Sequence, residues 1–152
     1  MFVYGTLRPG HPNFERLLAA YSERTVAGHL AGALLLDCGH YPAAVERAGA
    51  GRAVGEVVWI RPPGWSAVLA DLDHLEGYDP ADPQPLFDRV VRSVETADGP
   101  VECWAYLAGR LLAEADRPVV PDGDWVAHCA DRADYRKHWE TIAGAGGRAE
   151  QP

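Results

Sequence analysis

Met1-Phe2-Val3-Tyr4-Gly5-Thr6-Leu7-Arg8-Pro9-Gly10 opens the chain and orients the reading of everything after it. The aromatic and β-branched run from Phe2 to Tyr4 reads as a strand, and Gly5 ends it. A short polar loop follows, from Thr6 to Gly10. Glycine has no Cβ, so a strand running into Gly5 is able to turn its next N–H groups toward a small anionic or carbonyl-bearing molecule. An ordinary strand-to-turn junction has the same local pattern. A second motif, around Glu76, bears on the choice.

Outward from the loop, Asn13 reads as the N-cap of a short helix, with Phe14, Leu17, Leu18 and Tyr21 at helical spacing. Thr25 to Asp37 is apolar and punctuated by glycine. Gly28 and Gly32 would each cost a helix about 1 kcal/mol, so a bent strand is predicted. Tyr41 to Val45 is extended, because the residue before Pro42 is pushed away from the α region. Arg52 to Arg61 reads as a strand with Val54, Val58 and Ile60 on one face and Val57 and Trp59 on the other. Apolar residues on both faces place it centrally in a sheet.

After the break at Pro62-Pro63-Gly64, Trp65, Val68, Leu69, Leu72 and Leu75 predict an amphipathic helix over 66–76, with Gly77 as its stop. The Pro- and Asp-rich segment 78–85 is a loop. Phe87 to Thr96 and Val101 to Leu107 flank Ala97-Asp98-Gly99-Pro100, which is a hairpin signal. A helix is predicted from Trp125 to about Ile142, followed by a flexible Gly/Ala-rich tail over 143–152. The expected class is α+β: a small mixed, β-barrel-like sheet flanked by a few helices, in a single domain over 1–142.

At 152 residues, with 47% hydrophobic and 24% charged residues, the chain has the composition of a soluble globular domain able to bury a core. The net charge of −8 argues against sequence-independent nucleic-acid binding and against anionic membranes, both of which need clustered Lys and Arg. Three cysteines, Cys38, Cys103 and Cys129, form no C-x-x-C pair, which favours a reducing compartment. No charged and apolar leader precedes the first strand, so a cytoplasmic location is expected. The six histidines show no i,i+4 pairing and no H-E-x-x-H pattern, so no metal is expected. Cys38 has no adjacent Lys or Arg to lower its pKa and reads as a buried thiol. Oligomeric state is not legible.

Leu72-Asp73-His74-Leu75-Glu76-Gly77-Tyr78 places Glu76 on the last turn of the predicted helix, at the negative end of its dipole, with Asp73 and Asp79 close in sequence. Both effects disfavour a carboxylate and raise its pKa. A Glu tuned toward neutrality suits general base or acid work. A solvated surface residue at a small electrostatic cost fits the same pattern.

Together the two motifs give the chain a family likeness. It resembles the γ-glutamylcyclotransferase-like (AIG2-like) proteins at Tyr4-Gly5-Thr6-Leu7-Arg8, Tyr41-Pro42-Ala43 and Gly55-Glu56-Val57. The likeness continues at Leu72-Asp73-x-x-Glu76-Gly77-Tyr78, Trp104-Ala105-Tyr106 and Gly123-Asp124-Trp125, so it spans residues 1–126. The resemblance implies a β-barrel-like fold with a pocket where the opening loop meets the acidic residue. It also implies a reaction without metal or cofactor, in which a γ-glutamyl amide is cyclised by its own α-amine to 5-oxoproline, releasing a free amine.

On that resemblance Glu76 is the catalytic base and acid, and Tyr4, Gly5, Thr6, Leu7, Arg8 and Tyr106 are the substrate-binding residues. The N–H groups of Gly5, Thr6 and Leu7 would hold the glutamyl moiety, Arg8 would add positive charge and Tyr106 a hydroxyl. One departure is Phe87-Asp88-Arg89, where many members carry Tyr-x-Arg, so a hydroxyl is missing unless Tyr78 or Tyr106 supplies it. The alternative reading is a non-catalytic module that keeps the pocket and binds a small γ-glutamyl-like carboxylate. The partner expected on either reading is a small molecule.

Overall fold

The computed structural model describes residues 1–144; the remainder of the expected tail lies outside the described residues. Among the described residues seven strands form two sheets. Strands β1 (Phe2–Val3), β2 (Ser22–Ala31), β5 (Arg52–Ile60), β6 (Phe87–Thr96) and β7 (Gly99–Ala108) make a five-stranded antiparallel sheet in the order β1-β5-β2-β6-β7. Strand β3 (Ala33–Asp37) pairs with β4 (Pro42–Glu46), again antiparallel, and Leu36 on its other edge bridges to Val119. The α+β class holds, and β5 is an inner strand as its two apolar faces predict.

The large sheet is not closed into a barrel. No ladder among the described strands joins β7 to β1. Instead the Tyr4 hydroxyl, just past β1, donates to the Tyr106 carbonyl on β7 at 2.6 Å and accepts from the Ala44 N–H on β4 at 3.3 Å. One phenol thus spans the open edge. The single bent strand expected over 25–37 is two strands in two sheets. Gly32, at φ +70°, makes the turn between them in a left-handed conformation that residues with a Cβ rarely adopt.

Helix α1 (Pro12–Leu17) starts two residues earlier than expected, with Pro12 in its first turn and His11 before it. Asn13 is therefore not its N-cap. Its side-chain amide donates to Thr6 Oγ1 at 3.2 Å and its oxygen accepts from Arg16 at 3.1 Å, which ties the helix back to the opening loop. Helix α2 (Trp65–Glu76) matches its predicted end. Val68, Leu72 and Leu75, at i, i+4 and i+7, are 1%, 0% and 3% exposed, so one stripe of the helix lies on the sheet. Burying each such side chain contributes about 1.5–3 kcal/mol. Gly77 at φ +62° closes the helix, with the Tyr78 N–H bonded to the Asp73 carbonyl and the Gly77 N–H to that of His74. This pairing leaves Glu76 held at the end of a rigid element.

The long helix expected over 125–142 is broken. A short helix α3 (Arg110–Ala113) follows β7, and then α4 (Trp125–Cys129) and α5 (Ala133–Gly144) are separated by a turn at 130–132. Side-chain bonds fix the break. The Arg132 guanidinium donates to Asp37 Oδ2 at 3.1 Å and to the Gly39 carbonyl at 3.0 Å, and His128 Nε2 lies 2.9 Å from the same Asp37 oxygen. After the turn, Tyr135 folds back onto the fully buried Trp125, ring centroids 5.7 Å apart. No helix among the described residues is long and apolar enough to cross a membrane.

Candidate active site

Where β1, the opening loop, the end of α2, the turn before β4 and α5 converge, they enclose a cavity of about 380 Å³. Glu76 and the loop residues Gly5, Thr6 and Leu7 line it together, along with Tyr4 and Tyr106. Two segments some seventy residues apart in sequence thus face one hollow. Among the described residues, no acceptor bonds the N–H groups of Gly5, Thr6 or Leu7. Unpaired amides beside a hollow are donors for whatever fills it.

Burial pushes Glu76 up to about pKa 8. Its side chain is partly buried and lines the cavity. The cause of the shift differs from the expectation. Burial carries it, not the neighbouring aspartates, because Asp73 is paired: its Oδ2 accepts from Arg89 and its Oδ1 from the Tyr106 hydroxyl, both at 2.6 Å. The Glu76 charge in turn adds to the upward shifts at Tyr4, Tyr41 and Tyr106, behind the larger effect of burial at each. These three phenols are therefore its near surroundings.

Tyr4 and Tyr106 line the cavity, and their hydroxyls have partners within the protein, Tyr4 the β7 and β4 backbones and Tyr106 the Asp73 carboxylate. Both hydroxyls are thus engaged within the protein, and Phe87, which lines the cavity and is 1% exposed, brings none. Tyr78 is not part of this wall; its ring lies under the Arg89 guanidinium at 4.9 Å.

Arg8 is a correction. It does not line the cavity. Its guanidinium grips Glu56 with two bonds, at 2.7 and 2.8 Å, and Asp124 with a third at 2.8 Å. A planar fork of donors already filled by two carboxylates offers no charge to a ligand.

Gly5 also has a packing role that its sequence does not suggest. A Cβ there would sit 2.6 and 2.7 Å from the Pro42 ring carbons, so glycine lets the loop pack against the turn before β4. Gly5→Ala is expected to cost about 1–3 kcal/mol through overpacking. The check is a lowered urea midpoint; an unchanged midpoint would mean that Pro42 yields without cost.

Sequence reasoning missed the far wall. His40, Tyr41, His138 and Trp139 also line the cavity, the last two from α5. The His40 and His138 rings stack 3.7 Å apart and within 4° of parallel, and Trp139 meets His138 edge-on at 5.2 Å. The available signal was Tyr135, His138 and Trp139 at i, i+3 and i+4, an aromatic face on the last helix. Nothing local says what that face meets.

The sequence pattern of the family described as Gamma-glutamyl cyclotransferase, AIG2-like, matches residues 1–127. No curated protein matches the chain. Solved structures share the fold. YkqA from Bacillus subtilis superposes at TM-score 0.63 with 24% identity over 85% of this chain, which spans 40% of YkqA's length. An uncharacterized protein of Pyrococcus horikoshii gives 0.56 and 20% identity, over 91% of this chain and 96% of that one. An aig2-like protein of Mus musculus gives 0.54 and 21%, over 76% and 78%.

Proposed function

Because the chain belongs to the Gamma-glutamyl cyclotransferase, AIG2-like family, we propose that it converts a γ-glutamyl amide to 5-oxoproline and a free amine, with Glu76 as proton carrier. The observation that carries this reading is one cavity shared by a carboxyl with a pKa near 8 and three unpaired loop amides.

The glutamyl α-carboxylate or γ-carbonyl accepts from the amides of Gly5, Thr6 and Leu7, and its α-ammonium faces Glu76. Glu76 takes one proton from the ammonium. The freed amine attacks the γ-carbonyl carbon and closes a five-membered ring. As the amide C–N bond breaks, Glu76 returns its proton to the departing nitrogen. The second proton lost by the ring nitrogen goes to solvent or to the released amine. Intramolecular attack needs little beyond a folded, near-attack substrate, and a hollow of this size is suited to impose one. Proton transfer by a positioned side chain contributes about 10²–10⁴-fold.

A second reading, ligand binding without turnover, is favoured by Phe87, whose ring brings no hydroxyl to the cavity. The test is incubation with γ-glutamyl amides, including the ε-(γ-glutamyl)-lysine isopeptide, and chromatographic assay for 5-oxoproline. Product formation that saturates with substrate is expected from at least one member of the panel. Measurable binding with no 5-oxoproline across the panel would leave the binding module in its place.

A further inference from the structure

Glu76 is the acidic group of the cavity wall, and among the described residues neither Arg nor Lys contributes to it. Three arginines near it are committed elsewhere. Arg8 holds Glu56 and Asp124, Arg89 holds Asp73, and Arg132 holds Asp37, the Gly39 carbonyl and Asp134. What the wall offers instead is rings. Tyr41 and Phe87 meet edge-on at 6.2 Å, and His40, His138 and Trp139 continue the surface across α5.

Resting on the cyclotransferase reading, these features narrow the substrate. The loop amides and Glu76 suffice for the carboxylate and ammonium of the glutamyl half, so the amine half meets the ringed wall. An amino acid as leaving group would bring a second carboxylate against a wall that, among the described residues, holds no Arg or Lys to pair it, and an unpaired buried ion is strongly disfavoured. A flat ring would stack there. We infer that the amine released by this protein carries no carboxylate and bears an aromatic group, the substrate being a γ-glutamyl arylalkylamide.

Three compounds isolate the two halves of the claim. γ-Glutamyl-phenethylamide and γ-glutamyl-phenylalanine differ only by the second carboxylate, and γ-glutamyl-ethylamide lacks only the ring. The expected order of kcat/KM puts the phenethylamide at least tenfold above each of the others. Trp139→Ala, with His138→Ala as a second variant, lowers the phenethyl-to-ethyl ratio at least threefold. Equal or better turnover of γ-glutamyl-phenylalanine would overturn the exclusion of a carboxylate, and equal turnover of the ethylamide would overturn the role of the rings. If none of the three yields 5-oxoproline, the cyclotransferase reading fails separately. The calorimetric affinities of the same compounds then decide this inference by the same order.

Discussion

Glu76→Gln is expected to reduce 5-oxoproline formation by about 10²–10⁴-fold and, above pH 8, to make the protein more stable than it is with Glu76. The first effect follows because an amide of the same shape cannot take a proton from the substrate ammonium. The second follows from linkage. Burial raises the Glu76 carboxyl from 4.5 to about 8. Between those values the unfolded chain has already released the proton that the folded chain still holds, so stability falls as pH rises through that window. At pH 8 and above the accumulated penalty is on the order of a few kcal/mol, and Gln does not incur it. Below about pH 4.5 both forms are neutral in both states, and the variant and the parent should melt alike. The same carboxyl must be ionised to act as base, so kcat/KM of the parent protein should climb with pH toward about 8. Thermal melts from pH 4 to 9 and a rate profile read both effects. Parallel melting curves across that range, or a variant within tenfold of the parent rate, would remove Glu76 from the role assigned to it.

Arg8→Met should produce the opposite pattern, a large loss of stability with little change in substrate affinity. The Arg8 side chain is 13% exposed and joins three parts of the fold: the loop after β1, Glu56 on β5, and Asp124 before α4. Asp124 also accepts from the Val126 and Ala127 N–H groups and so caps α4. Burial pulls the guanidinium's pKa down, and Glu56 and Asp124 together more than reverse it. Methionine would fill much of the space while leaving two half-buried carboxylates facing each other unpaired. Breaking such a pair costs about 3 kcal/mol, the low end of the range because the site keeps some water. For a chain of this size that is a fall of roughly 6–12 °C in Tm. KM measured well below the transition should stay near the parent value. A raised KM with an unchanged Tm would return Arg8 to the substrate-binding role that its position in the opening loop suggested.

The contrast between these two residues marks how far sequence reasoning reached. Glu76 was legible because its placement is local: Val68, Leu72 and Leu75 set a helical stripe, Gly77 stops it, and the residue between the last apolar position and the stop is fixed by helical geometry. Arg8 sits in an equally recognisable motif, yet its partners lie 48 and 116 residues away, and no periodicity encodes such pairings. Gly5 shows the same divide. Its missing Cβ reads in the sequence as room for a ligand at the backbone, whereas the atoms that occupy that space belong to Pro42.

By itself the sequence determined the elements whose causes are short-range: the inner strand with two apolar faces, the hairpin around Ala97-Asp98, the helix ending at Gly77, and the family that these motifs share in order. Tertiary structure alone decided three matters. It set the cause of the Glu76 shift, which is enclosure rather than nearby aspartates. It turned the last helix at Arg132, bringing His138 and Trp139 to the cavity. It withdrew Arg8 from the ligand to the scaffold. Each depends on which distant groups share a small volume, and desolvation and ion pairing respond to that volume, not to separation along the chain.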